Sequence, residues 1–301
     1  MLARMASSAS GRSWAVRVAT AADVPAITAM YRRNDFPHAQ GDPTRAEGYF
    51  TIVRAAGGEV LIAVEGADGE TVVGHLELLL CDEASPLRRY GHIETLEVRA
   101  DRRRRGIGRA LVSAALELTR AHGGRRAEVW TGDDNTAAQQ LYVAMGFAAG
   151  PRMRDLELMV PPEAAVGAAP LGERLGAGER PWVGLRHVAG RQYPAAYCWW
   201  RAHLASGWGL PNANETGAWR VSDGAVVLAD PWFVHLFLPP HVPPDDEAVG
   251  PLWLAMLGLR AGKQQPVRTV VPVDLAERWR LHERWPVRKV EDYTLLVRDL
   301  G

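Results

Sequence analysis

The stretch GHIETLEVRADRRRRGIGRALVSAALELTRAHGG, residues 91–124, constrains the fold more than any other part of the chain. Its first eight residues read as a strand. After Gly106 the apolar residues recur at helical spacing up to a Gly-Gly stop. A strand therefore hands over to a helix across a turn that holds four consecutive arginines and the pair Gly106 and Gly108. A helix N-terminus carries unpaired N–H groups and a partial positive charge, and glycine lets the backbone approach an anion with no Cβ in the way. The spacing Arg103-x-x-Gly106-x-Gly108 is too short for GxGxxG and lacks the Gly-Lys-Ser/Thr of a nucleotide P-loop. The tract reads as a pyrophosphate cradle that works without Mg²⁺-assisted phosphoryl transfer.

Two other readings compete for RRRR: a nucleic-acid patch and a solvated charge run. The chain has 35 Lys+Arg and 35 Asp+Glu, a formal net charge of zero. Proteins that live on a phosphate backbone show a basic excess, so a nucleic-acid partner is not expected. For Arg102 the solvated reading is preferred. Cys81 and Cys198 are far apart and form no zinc pattern, so each is expected as a buried free thiol, and no metal is expected. No apolar run reaches signal-peptide or membrane-span length, which points to a cytoplasmic protein with no membrane partner.

Patterning gives an α/β domain. WAVRVAT (14–20), EVLIAVE (59–65), TVVGHLELLL (71–80), GHIETLEV (91–98), RRAEVWT (125–131) and RDLELMV (154–160) read as strands. Helices are predicted for VPAITAMYRRN behind an Asp23 cap, for the segment after Gly106, and for NTAAQQLYVAMGF, ending at Gly146. Residues 161–181 are rich in Pro, Gly and Ala and read as a linker. Nine of the 11 tryptophans follow it, between Trp182 and Trp285, marking a second domain over 182–301. That domain faintly repeats the first: with Phe147 set against Trp285, VRTVVPV (267–273) falls near AEVWT and YTLLV (293–297) near LELMV, and 218–238 resembles the 59–80 hairpin.

Arg103-x-x-Gly106-x-Gly108 between a strand and a helix resembles the coenzyme A pyrophosphate loop of the GNAT superfamily of acetyl-CoA-dependent N-acetyltransferases. NTAAQQLYVAMGF resembles that family's second hallmark, N-x-x-A-x-x-L-Y-x-x-x-G-F. The element order over 14–160 matches as well. The resemblance implies a GNAT fold: a mixed, mostly antiparallel central sheet flanked by helices, here followed by a second GNAT-like α/β domain. It implies acetyl-CoA as co-substrate. The amides of Arg104, Arg105, Gly106, Ile107, Gly108 and Arg109 would line the pyrophosphate, with Arg103 at the family's basic-or-glutamine position. Leu96 and Val98 would flank the thioester arm, the Val98 N–H donating to its carbonyl. Asn135 would contact the pantetheine or cap its own helix.

Acetyl transfer needs a neutral amine, a donor for the oxyanion and a proton for the departing thiolate. Tyr142 stands where the family's tyrosine protonates sulfur. Glu94 and His92, twelve and fourteen residues before Gly106, stand where the family often carries its base; Glu94 is favoured, with His92 as relay or alternate. In a regular strand His92, Glu94, Leu96 and Val98 share one face and Glu97 points away; a bulge would change this. The second domain has no RxxGxG. Arg280 stands opposite Tyr142 and Val273 opposite Asn135, so it reads as a degenerate half, with the aromatics around 197–200 as core. The expected activity is acetyl transfer to a primary amine of a small molecule or peptide, in a monomer built as a pseudo-dimer or in a homodimer. The competing reading is an inactive acyl-CoA-binding or regulatory module.

Overall fold

The computed structural model describes residues 14–33, 43–66, 71–83, 88–159, 172–180, 182–189, 194–204, 216–221, 224–230, 232–244, 266–280, 283 and 286–301. Trp285, used above to align the two halves, lies outside them, as does most of the expected linker; within it Glu173–Leu175 is a strand. Strands β1 (Trp14–Val18), β2 (Glu59–Glu65), β3 (Thr71–Glu83), β4 (Arg88–Val98), β5 (Arg126–Gly132), β6 (Ala148–Leu158), β12 (Val267–Pro272) and β13 (Val287–Asp299) form one eight-stranded sheet. Their order is β1-β2-β3-β4-β5-β13-β6-β12. Among its pairings β4–β5 is parallel and the others antiparallel. A five-stranded antiparallel sheet, β7-β9-β10-β11-β8, is built from Glu173–Leu175 (β7), Arg186–Ala189 (β8), Gly217–Arg220 (β9), Val226–Ala229 (β10) and Val234–Leu238 (β11).

The alternation of β3 explains how the large sheet buries both faces. Leu76 and Leu78 join the core under helix α3 (Ile107–Ala121), whereas Leu79 and Cys81 join the core under α1 (Val24–Arg33) and α2 (Pro43–Ala55). Helix α3 buries Ile107, Leu111, Val112, Ala115, Leu116 and Thr119, one helical stripe. It sits so close to β4 that a Cβ on Gly91 would lie 2.0 Å from Thr119 Oγ1. Helix α4 (Thr136–Val143) packs Tyr142 into the same layer. Asp23 is not a simple N-cap: it accepts from the Thr20 N–H (2.8 Å) in a capping box and pairs with Arg17. Helix α2 has no counterpart in the sequence reading, although Ile52 and Val53 on it are fully buried.

The last strand of the chain completes the first sheet. β13 lies between β5 and β6, and β6 in turn lies between β13 and β12. A shift of 138 residues maps these pairings onto one another. Val129↔Leu296 becomes Val267↔Leu158, and Thr131↔Thr294 becomes Thr269↔Leu156. Between β13 and β6, Val290↔Leu156 maps to Thr294↔Arg152, Glu291↔Asp155 to Tyr293↔Met153, and Asp292↔Arg154 to itself. This is the reciprocity of an isologous contact, with a local pseudo-two-fold axis through Arg154 and Asp292. Those two side chains close an ion pair across it, Nε–Oδ1 2.9 Å. The shift is the one implied by setting Phe147 against Trp285.

Candidate active site

The β4–β5 pairing runs from Tyr90↔Arg126 to Ile93↔Val129 and stops there, although β4 continues to Val98 and β5 to Gly132. At the same point the β3–β4 register slips: Leu78 faces Ile93 and Glu77 faces Thr95, so Glu94 is an extra, bulged residue. A bulge bends its strand and ends pairing on one side. The consequence is a gap between β4 and β5 flanked by the expected site residues.

The bulge overturns the regular-strand expectation that His92, Glu94, Leu96 and Val98 share a face. Leu96 and Val98 pack with Ile93 in the α3 layer, within 3.9 Å and 3.8 Å of where a Gly108 Cβ would stand, and Leu141 of α4 is 3.4 Å from the same point. His92, Glu94 and Thr95 belong with Glu77 on the opposite side. His92 is 1% exposed; its Nε2 is 3.4 Å from Glu94 Oε2 and its Nδ1 3.3 Å from Glu128 Oε1. Burial opposes its charge, but the Glu128 and Glu94 carboxylates outweigh burial and lift its pKa to about 9. Protonated, the imidazole stands as a cation between the Glu94 and Glu128 carboxylates.

Sequence reasoning missed the neighbours of Glu94. Glu77 of β3 is 7% exposed, and burial, with the Glu94 charge behind it, pushes its pKa up to about 8 against a hydrogen bond from Thr95. His75, two residues earlier, is held neutral by burial at about 3, and its Nδ1 is 2.6 Å from the Tyr31 hydroxyl of α1. The signal available in the sequence was the polar pair in HLELLL, spaced two apart in a strand that is otherwise apolar.

In the Gly tract, Gly106 is the N-cap of α3 at φ +82°, a conformation that suits glycine, and open space surrounds its Cβ position. Arg104 is also left-handed, at φ 65°. The first bond of the helix is Ala110 N–H to Gly106 O, so the amides of Ile107, Gly108 and Arg109 lack helical acceptors. The side chains of Arg104, Arg105 and Arg109 are exposed, and that of Ile107 is buried, leaving its backbone as the group that can meet a ligand. Arg103 folds back on β4, donating to Val98 O (3.1 Å) and pairing with Glu97 (3.0 Å). Arg102 is not simply solvated: it pairs with Glu65 and Asp101, each at 2.8 Å. Asn135 caps α4, its Oδ1 accepting from the Ala138 N–H at 3.2 Å. Tyr142 is 3% exposed, stacked edge-on to Phe147, and burial raises its pKa.

The C-terminal half differs. Its helix Val273–Arg278 ends before Arg280, so no helical side chain stands opposite Tyr142. Cys81 and Cys198 are buried free thiols. Cys198, Asp230 and His235 cluster within 4.8 Å, but Asp230 already accepts from Arg201, His235, and the Trp232 and Phe233 amides. Burial works against the Asp230 charge; Arg201 and His235 overcome it and hold the pKa at about 2. Helix α5 (Ala195–Leu204) reaches the first half, where Tyr197 and Trp200 join the core beneath α1 and α2.

The strand-to-helix turn at Gly106 thus stands near a splayed strand pair with a carboxylate at its bulge, and Tyr142 is buried in the layer against which Leu96 and Val98 pack. Residues 25–147 match the acetyltransferase (GNAT) family model. The chain is 31% identical over 207 residues to mycothiol acetyltransferase of Mycobacteroides abscessus, covering 64% of this chain and 59% of the relative. It is 38% identical over 60 residues to an uncharacterized N-acetyltransferase of Methanocaldococcus jannaschii, 20% of this chain and 26% of that one. The chain thus spans less than two thirds of the curated relatives it matches. A solved structure from Pyrococcus horikoshii, of a protein proposed to be an acetyltransferase, shares the fold over 99% of this chain and 94% of its own, with a TM-score of 0.60 at 16% identity. Among the described residues no helix is long and apolar enough to cross a membrane.

Proposed function

We propose that the protein transfers the acetyl group of acetyl-CoA to a primary amine by direct attack within a ternary complex. The observation that carries this reading is the β4–β5 gap opening at Glu94, with the Gly106 cradle at one end and Tyr142 beside it. The pyrophosphate rests on the amides of Arg104 to Arg109, the exposed arginines steer the phosphates, and the thioester lies in the gap along Leu96 and Val98. The Asn135 amide group is free to meet the pantetheine while its oxygen caps the helix.

Glu94 takes a proton from the incoming ammonium, directly or through water. The freed amine attacks the thioester carbonyl, the Val98 N–H steadies the oxyanion, and the C–S bond breaks as Tyr142 delivers its proton to sulfur; the second proton lost by the attacking nitrogen passes through water to the Tyr142 phenolate, and Glu94 releases its proton to solvent. Burial keeps Tyr142 protonated until then. Acid and base approach from opposite faces of β4, so the acceptor and the leaving thiol do not compete for space. His92 is a positioning residue, an imidazolium between Glu94 and Glu128. Residues 14–160 form the acetyltransferase half and 182–301 a second, degenerate GNAT-like half joined to it by exchanged strands, the whole a monomeric pseudo-dimer; the 138-residue register shift supports this. Coenzyme A release, followed with a thiol reagent across an amine panel, tests the reading. Acetyl-CoA binding with no amine-dependent release would leave the inactive-module alternative.

A further inference from the structure

The bulge that opens the β4–β5 gap also sets a second carboxyl behind Glu94. Leu78 faces Ile93 and Glu77 faces Thr95, so the extra residue, Glu94, stands beside the Glu77–Thr95 pair. The two acids differ in access. Glu77 is 7% exposed, whereas Glu94 is less deeply buried and stands where β4 parts from β5. The void against Glu77 under α1 and α2 has room for about one water and none for an acceptor. Around the pair, Tyr31 of α1 and Tyr197 of α5 are held protonated by burial, with the nearby glutamates adding to it. Tyr49 of α2 lines the same void. His75, neutral through burial, has its Nε2 3.8 Å from Glu77 Oε1 and its Nδ1 2.6 Å from the Tyr31 hydroxyl. Glu97 pairs with Arg103, and the Arg201 guanidinium over the Tyr197 ring pairs with Asp230. The His92 imidazolium stands on the Glu94 side, 3.4 Å from Glu94 Oε2, with Glu128 beyond it.

Resting on the acetyl-transfer reading above, we infer that Glu77 and Glu94 work as one carboxyl pair: Glu94 meets the ammonium at the gap, and the proton it takes comes to rest on Glu77 behind it. Glu77 does not touch the amine; it is a positioning residue that acts through Glu94. The N–H bond of the ammonium breaks, its electron pair stays on nitrogen for the attack, and the carboxyl pair goes from two negative charges to one. The proton returns through Glu94 to solvent before the next turnover. Two carboxyls in one buried site do not ionise independently, and their first proton is held more tightly than a lone carboxylate would hold it. Because the His92 cation stands on Glu94, that proton is better kept on Glu77. An ordinary carboxylate, at about 4.3, is a poor match for an alkyl ammonium at about 10.4. Glu77, at about 8, is a far closer one. Below about pH 8 Glu77 already holds its proton, so turnover should rise as that proton is lost.

The test titrates the carboxyl by NMR on protein carrying carbon-13 at its glutamate carboxyls. The Glu77 signal is assigned by its loss in Glu77→Gln or Glu77→Asp. In the wild-type protein it should titrate with a midpoint near 8, and Glu94→Gln should lower that midpoint by about one pH unit or more. A midpoint below about 6, or one that Glu94→Gln leaves in place, would overturn the inference. Thiol release with a panel of primary alkyl and aryl amines supplies the second readout. For any amine that is turned over, kcat should rise through a midpoint near 8. Glu77→Gln should lose this limb and run at least tenfold slower than wild type at high pH, with acetyl-CoA Kd within twofold, and Glu77→Asp should keep the limb. A limb near 8 that survives in Glu77→Gln would overturn the inference and leave acetyl transfer intact. Release from no amine, with Glu77 titrating as expected, would instead bring down the acetyl-transfer reading on which the proton's route rests.

Discussion

Leu296→Ala probes the exchange of strands between the halves. Leu296 belongs to the last strand of the chain, yet it is 4% exposed, pairs with Val129, and packs with Tyr142, Met145 and Phe147 in the layer under α3. Truncating a buried leucine costs about 2–5 kcal/mol, depending on how far the site can collapse. Here β5 and β6 clamp the strand on both sides, so the cost should sit in the upper part of that range, about 3–5 kcal/mol. At about 1.4 kcal/mol per decade, local opening becomes a hundredfold or more commoner. Hydrogen exchange reads this directly: amides of β5, over 160 residues away in sequence, should lose protection. Leu158→Ala is the mirror experiment. Leu158 pairs with Val267 and packs in the core of the C-terminal half, so β12 should lose protection when it is truncated. If Leu296→Ala speeds exchange within 182–301 and leaves β5 untouched, the strand exchange is wrong.

Tyr142→Phe should lower turnover by roughly ten- to a thousandfold with little change in acetyl-CoA affinity, as for loss of one acid–base group; unchanged turnover would assign the sulfur's proton to water. Glu94→Gln keeps shape but removes the titration, so turnover should fall most at low pH and recover partly at high pH, where more of the amine is already neutral; an intact acid limb in this variant would move the base elsewhere. His92 gains stability from being protonated in the fold, its pKa raised from 6.5 to about 9. That stability is fully present below pH 6.5 and lost as pH rises through about 9. Melting followed from pH 6 to 10 should therefore fall more steeply for wild type than for His92→Gln; parallel curves would mean a neutral imidazole.

Local signals were legible and non-local ones were not. The strands β1, β2 and β5, helices α3 and α4 and the Gly106 turn follow from period, caps and stops that sit within a few residues of one another. Helix α2 escaped because PTRAEGYFTIVRA carries a Pro, a Gly and a weak apolar stripe, and its burial of Ile52 and Val53 comes from tertiary packing. The bulge at Glu94 leaves no mark on alternation, so Leu96 and Val98 were assigned to the wrong side of the strand relative to Glu94. The position of β13 depends on pairing between residues more than a hundred apart, which no window contains. Setting Phe147 against Trp285 in the faint likeness of 267–297 to 127–160 gives the same 138-residue shift as the reciprocal pairings of β5, β6, β12 and β13. Glu77 was hidden because a single acid in an apolar strand looks like a solvent-facing position until the helices on both faces are known.

Calorimetric titration with acetyl-CoA tests the central claim most directly. The account predicts one site per chain, because the Arg-x-x-Gly-x-Gly sequence of the Gly106 cradle does not recur in residues 182–301, and it predicts that Gly106→Asp abolishes binding. That change puts a carboxylate where the pyrophosphate belongs and forces a side chain into φ +82°. Two equivalent sites per chain, or near-normal affinity in Gly106→Asp, would contradict it.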